Sequence, residues 1–269
     1  MNNTLSLSSD RTCIFGGDDR MSGFQTVFAR VEKKYLLDPV QYTAITNILR
    51  LHGFVRMNYP DPTTCSLYYD TDDCILARRS IERPEYKEKL RLRIYGSIAT
   101  DKSTAFPEIK KKYNGIVYKR RVEMTYAEAM DALRTGYMPE STGQIGKEIS
   151  YFHDLYQGIH PRALIAYERE TWQAPNGVDL RVTFDSSIRF RDEDLDLRYG
   201  SDGYLLLDRD LRMMELKLPM VFPQWLTDSL WNLNIRKVHF SKYGEGYSRY
   251  IRSSSSISLD HIKEVHNVA

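Results

Sequence analysis

Apolar and polar positions alternate with period two over several short stretches of this chain, and the polar positions are rich in cations. The sharpest case is Lys87-Glu88-Lys89-Leu90-Arg91-Leu92-Arg93-Ile94-Tyr95. Successive side chains of a β-strand point to opposite faces, so Lys89, Arg91 and Arg93 share one face and Leu90, Leu92 and Ile94 the other. Like charges at this spacing repel one another, and the row predicts an anion as its partner. Glu108, Lys110 and Lys112 repeat the pattern, as do Tyr167, Arg169 and Thr171. Arg181, Thr183 and Asp185 follow it again, and Glu215 with Lys217 closes the set. One charged strand face is ordinarily solvated surface. Several of them, each backed by apolar residues, predict a sheet with a polar inner face and an apolar outer face covered by helices. The expected fold is α+β and β-rich: an antiparallel closed β-barrel that forms a basic tunnel, with flanking helices.

The remaining pattern fills in the elements. Phe28 to Leu37 reads as a first strand with Arg30, Glu32 and Lys34 on one face. Asp38-Pro39 starts a helix, with an Asp cap and Pro at the first helical position. Its apolar positions are Ile45, Ile48, Leu49 and Leu51, and Gly53 ends it. Ser66 to Asp70 is a strand, and a further element begins at Leu76. Phe106–Lys112 and Val117–Val122 form a hairpin about Asn114-Gly115, a strong turn signal. Thr125 precedes a helix over Tyr126–Arg134 that Gly136 closes, and a second helical segment covers about Gln144 to Tyr156. Strands return at Ala163–Trp172, Leu180–Phe184, Tyr204–Leu207 and Arg212–Leu218. Pro223 opens a helix carrying Trp225, Leu226, Leu230 and Leu233, and Val238–Tyr243 reads as the last strand. No repeat or linker divides residues 24–252, which read as one domain. Residues 1–23 are expected to be a disordered leader and residues 253–269 a polar tail.

Composition narrows the partner. The 38 basic and 36 acidic residues leave a formal net charge of only +2. Nucleic-acid binders carry a bulk basic excess, so cations concentrated by pattern point instead to a small, highly charged anion. The three cysteines, Cys13, Cys65 and Cys74, are too scattered for a disulfide framework and read as free thiols of a reducing compartment. No apolar run reaches the roughly 18 to 20 residues that span a bilayer, and no signal peptide is visible. The expectation is a soluble, cytoplasmic protein without membrane span or nucleic-acid partner.

Nine short motifs then occur in order over residues 26–250. They are Glu32-Lys33-Lys34-Tyr35, Leu67-Tyr68-Tyr69-Asp70-Thr71, Lys89-Leu90-Arg91-Leu92-Arg93-Ile94-Tyr95-Gly96 and Glu108-Ile109-Lys110. Tyr118-Lys119-Arg120, Tyr167-Glu168-Arg169, Arg181-Val182-Thr183-Phe184-Asp185, Met214-Glu215-Leu216-Lys217 and Phe240-Ser241-Lys242-Tyr243 complete them. In these the chain resembles the polyphosphate-polymerase (VTC) domain, a branch of the triphosphate tunnel metalloenzymes. The resemblance implies transfer of the terminal phosphoryl group of ATP to a growing polyphosphate chain, with release of ADP. It assigns Arg91, Arg93, Arg169 and Lys242 to catalysis. Lys34, Lys89, Lys110, Lys119, Tyr167, Arg181, His239 and Ser241 would bind phosphate. Glu215 would carry a divalent metal, Mn²⁺ or Mg²⁺, with Glu32 and Glu108 as supporting ligands or salt-bridge partners. Lys33, Lys111 and Arg121 are expected to point outward.

The chain departs from the family pattern at identifiable places. Arg30 stands where the hydrolases and cyclases of the superfamily have the first Glu of Glu-x-Glu-x-Lys, which favours the polymerase branch. His239 stands where Lys is usual. The phosphate-sensing domain and membrane helices of the eukaryotic polymerase are not seen, so a free-standing catalytic module is expected. Two other readings are a tunnel triphosphatase and a non-catalytic polyphosphate-binding protein. No base-recognition motif is visible.

Overall fold

A computed structural model describes residues 28–114, 116–178, 180–218 and 222–252. The expected leader and tail lie outside them. The chain begins with β1 (Phe28–Leu37) and α1 (Pro39–Leu51), followed by β2 (Val55–Met57), β3 (Thr63–Asp70) and α2 (Ile75–Glu82). Then come β4 (Tyr86–Tyr95), β5 (Thr104–Tyr113), β6 (Ile116–Arg121) and β7 (Met124–Thr125). Two helices, α3 (Tyr126–Thr135) and α4 (Gly143–Leu155), lead into β8 (His160–Gln173), β9 (Arg181–Arg191), β10 (Tyr204–Leu205) and β11 (Arg212–Leu218). The last elements are α5 (Gln224–Asn232), β12 (Lys237–Val238) and α6 (Lys242–Gly246), continued by a π-turn over Tyr247–Ile251.

Local chemistry explains the helix boundaries. Asp38 and Gln41 form a reciprocal capping box at α1, and Thr125 and Glu128 do the same at α3. Gly136 ends α3 at φ 77°, where a residue with a Cβ is strained. One expectation fails at the end of the chain. Val238–Tyr243 is not a strand: pairing stops at Val238, and Ser241 caps α6 by accepting from Gly244 N. The side-chain hydroxyl draws the backbone into a helical turn, and alternation alone does not reveal this.

The strands form one antiparallel sheet in the order β10-β9-β11-β1-β6-β5-β4-β3-β8-β2, with β12 on β1 and β7 on β5. An additional ladder joins β8 to β9. The sheet therefore keeps ends at β10 and β2, and is not the plain closed barrel that the alternation predicts. Its outer face is apolar. Leu90, Leu92, Ile94 and Ile109 pack beneath Tyr126, Ala129, Leu133, Ile149 and Phe152 of α3 and α4. Tyr35, Val182, Phe184, Met214 and Leu216 pack beneath Ile45, Leu49, Leu226 and Leu230 of α1 and α5. A third cluster joins Ala163, Ile165, Ile188, Phe190 and Met213 to Tyr243 of α6. By strand parity Ala163 and Ile165 share the face of Tyr167 and Arg169, so α6 plugs one part of the inner face. Gly246 permits that approach, since a Cβ there would lie 2.0 Å from Phe190 Cδ2.

Candidate functional site

The inner face of β4 carries Lys89, Arg91 and Arg93, and register sets what each one meets. Arg91 lies across from Glu108 on β5, and Glu108 from Arg121 on β6. The Arg91 guanidinium pairs with Glu108 and donates to Tyr68 Oη at 2.9 Å, while Lys119 Nζ lies 2.7 Å from the other Glu108 oxygen. Lys110 pairs with Glu32 at 2.8 Å. Arg93, only 5% exposed, donates to Ser66 Oγ and Tyr167 Oη, both at 3.2 Å. Lys89 donates to Ser241 Oγ at 2.8 Å. Among the described residues neither Arg93 nor Lys89 has a carboxylate at ion-pair distance.

A second cluster sits on β8, β9 and β11. Arg169 grips Asp185 with two parallel hydrogen bonds of 2.7 Å, and Lys242 Nζ adds a third at 2.6 Å. Glu215 is surrounded by Lys34 at 3.3 Å, Lys217 at 3.5 Å, Arg169 at 3.6 Å and Lys242 at 3.7 Å. It accepts no hydrogen bond among the described residues. Lys34 itself donates to the Phe240 carbonyl at 2.8 Å. A cavity of about 550 Å³ opens onto Glu32, Lys34, Lys89, Lys110 and Lys242, with Arg83, Lys87, Lys112, Lys237 and His239 around it.

The electrostatics follow from crowding cations where water is scarce. Burial pushes the Lys89 ammonium well below its ordinary value, and Lys34, Lys110, Lys87 and Arg91 push the same way. Burial brings Lys119 down to about 8, helped by Arg93 and Arg91 against Glu108. Burial and Arg169 do the same to Lys217, also to about 8. Burial opposes ionisation of Glu215, yet Lys34, Lys242, Lys217 and Arg169 hold it well below the usual carboxylate range. Burial likewise disfavours the Tyr95 phenolate, but Arg93, Lys119 and Arg121 bring that hydroxyl down to about 8.

Of the residues singled out in the sequence, Lys34, Lys89, Lys110, Ser241 and Lys242 border this cavity, while Arg91, Arg93, Lys119, Tyr167, Arg169 and Glu215 lie in the inner-face pairs described above. Arg181 is exposed at the start of β9, on the face of Thr183 and Asp185. His239 borders the cavity from a loop, not from a strand face. Arg121 does not point outward. It is two residues from Lys119 on β6, and it donates to Tyr95 Oη at 3.2 Å. Asp185, Tyr68 and Lys217 were given no role from sequence. Asp185 takes its role from the Arg169 pairing across β8 and β9, a cross-strand register that one strand's pattern does not carry.

A VTC domain model matches residues 29–251. The chain belongs to the VTC domain family. Subunit 4 of the vacuolar transporter chaperone complex from Schizosaccharomyces pombe is 25% identical to the VTC chain over 297 aligned positions, covering 91% of this chain. The chain spans only 40% of that relative's length. A candidate adenylate cyclase from Bacillus halodurans shares the fold, with a TM-score of 0.51 at 12% identity over 81% of this chain and 96% of its own. A candidate adenylyl cyclase from Hippeastrum, described as having a dominant triphosphatase activity, aligns at 14% identity with a TM-score of 0.49, over 81% of this chain and 95% of its own.

Among the described residues of this VTC domain no group of three or more His, Cys, Asp or Glu is arranged to hold a metal ion. Glu215 is nevertheless a fitting single ligand. It is ionised, and among the described residues its oxygens face cations at 3.3–3.7 Å without accepting a hydrogen bond. A hard divalent cation needs only one or two carboxylates when water and phosphate complete its shell. No helix among the described residues is long and apolar enough to cross a membrane.

Proposed function

We propose that this domain is an ATP-dependent polyphosphate polymerase. ATP and the phosphate chain meet end to end along the inner-face cations, a reading that the additional β8–β9 ladder supports. The observation that carries the reading is the pair Lys89 and Arg93: cations on an inner sheet face with hydroxyl partners and, among the described residues, no carboxylate. Enclosed charges are normally paired, and the lysines and arginines of the channel outnumber Glu32, Glu108, Asp185 and Glu215. A string of phosphates supplies the missing charge.

An oxygen of the terminal phosphate of the chain attacks the γ-phosphorus of ATP in line. The bond from that phosphorus to the β,γ-bridging oxygen breaks, and ADP leaves. The nucleophile is already anionic, so no general base is needed, and catalysis lies in placement and charge. Arg91, Arg93 and Arg169 turn the guanidinium donors they do not spend on Glu108, Ser66, Tyr68, Tyr167 and Asp185 toward phosphate oxygens, and Lys242 adds a point charge to the transferring group. Lys34, Lys89, Lys110, Lys119, Tyr167, Arg181, His239 and Ser241 hold the phosphates on either side. Glu215 would hold Mn²⁺ or Mg²⁺ together with phosphate, which would neutralise charge developing on the phosphate oxygens. Cys65 and Cys74 are free and buried, which suits a reducing, cytoplasmic setting.

Purified protein incubated with ATP and Mn²⁺, with products resolved on a gel, tests this. Long phosphate chains together with ADP support the polymerase. Orthophosphate alone identifies a triphosphatase, and retained polyphosphate binding without turnover identifies a scaffold.

A further inference from the structure

The two ends of the cation row on β4 are chemically unlike. Along the inner face of β4 the order is Lys87, Lys89, Arg91, Arg93, Tyr95. At the Lys87 end the cavity is bordered by Arg83, Lys112, Lys237 and His239. Glu85, Glu245 and Phe240 border it as well, but the cations there outnumber the carboxylates, which suits a polyanion. At the other end Phe106 lies across from Arg93, and Tyr95 meets its ring edge-on, with centroids 5.6 Å apart and planes at 65°. Arg121 lies 4.6 Å over the Phe106 ring and donates to the Tyr95 hydroxyl at 3.2 Å. Tyr95 is therefore held at its hydroxyl and at its ring edge, yet it remains 55% exposed.

We infer that Tyr95, backed by Phe106 and Arg121, is the stacking platform for the nucleobase of the nucleotide donor. The inference rests on the polymerase reading of the channel and adds a polarity to it. An exposed aromatic face beside a guanidinium stacks on any base and reads no base edge. That agrees with the lack of a base-recognition motif. A nucleoside triphosphate has an aromatic group at one end and phosphates at the other, whereas a phosphate chain has no aromatic group. The nucleotide therefore occupies the Tyr95 mouth with its phosphates directed at Arg93 and Lys119. The chain occupies the mouth lined by Lys87 and Lys112.

Titration calorimetry on the full chain with Mn²⁺ separates the base from the phosphates, using β,γ-imido ATP and inorganic triphosphate as probes. Tyr95→Ala should weaken the ATP analogue about tenfold while changing triphosphate less than about twofold. Tyr95→Phe, which keeps the ring, should retain both affinities. Equal weakening of both probes by Tyr95→Ala, or of neither, overturns the platform alone, as does a Tyr95→Phe variant as impaired as Tyr95→Ala. Wild-type protein that binds triphosphate but not the ATP analogue overturns the platform and the ATP-donor reading together.

Discussion

Two groups of cations share the channel and are held in opposite ways. Arg169 and Lys242 are fastened to Asp185 by short hydrogen bonds, with Asp185 fully buried. Among the described residues Lys89 and Arg93 are fastened to hydroxyls alone. In the first group the carboxylate compensates for desolvation, so the cations belong to the folded structure whether or not substrate is bound. In the second no carboxylate among the described residues supplies that compensation. The difference separates cations whose charge the fold already balances from cations whose charge it does not, and it predicts opposite balances between stability and binding.

The largest effect is expected at Asp185. Asp185→Asn leaves Arg169 and Lys242 enclosed with only the longer contacts to Glu215 and should cost about 3 kcal/mol of stability by denaturant unfolding. A loss below about 1 kcal/mol would show that water already screens the cluster. Lys89→Met should do the reverse. Unfolding stability should stay level or rise, while triphosphate affinity falls at least about tenfold, the worth of one charge-assisted hydrogen bond. A destabilised Lys89→Met variant with normal affinity would erase the contrast.

Glu215 stands between the groups, ringed by cations but hydrogen-bonded to none of them among the described residues. Glu215→Gln should abolish the dependence of turnover on Mn²⁺, and an unchanged metal titration would remove Glu215 as the ligand. The smallest effect concerns pH. Lys119 and Lys217 carry charge below pH about 8 and lose it above. Triphosphate stabilises their protonated forms, so binding should take up protons near pH 8 and weaken as pH rises further. Calorimetry in buffers of different ionisation enthalpy counts those protons, and none taken up would contradict the assignment.

Much of this was legible in the primary structure, for physical reasons. Period-two alternation marked the inner face of β4, and Asp38-Pro39 marked the start of α1, because each is a local property of a few neighbouring residues. The pairing of Arg169 with Asp185 and the pairs around Glu108 depend on register between strands, which no single strand encodes. Parity within β6 already placed Arg121 on the face of Lys119, although it was read as solvated surface. The Phe240–Tyr243 motif reads as a strand in sequence and is a loop leading into α6 in the structure. Alternation there competed with the Ser241 cap and with Gly244 and Gly246, whose small size lets α6 settle against the sheet.

The central claim is that the cations of the inner face bind one linear string of phosphates. A crystal structure of the protein with inorganic triphosphate and Mn²⁺ tests it most directly. The account predicts consecutive phosphates lying along Lys89, Arg91 and Arg93, within hydrogen-bonding distance of the Lys89 ammonium and the Arg93 guanidinium. Triphosphate bound on the outer surface, with those two groups still turned to Ser241, Ser66 and Tyr167 alone, would contradict it.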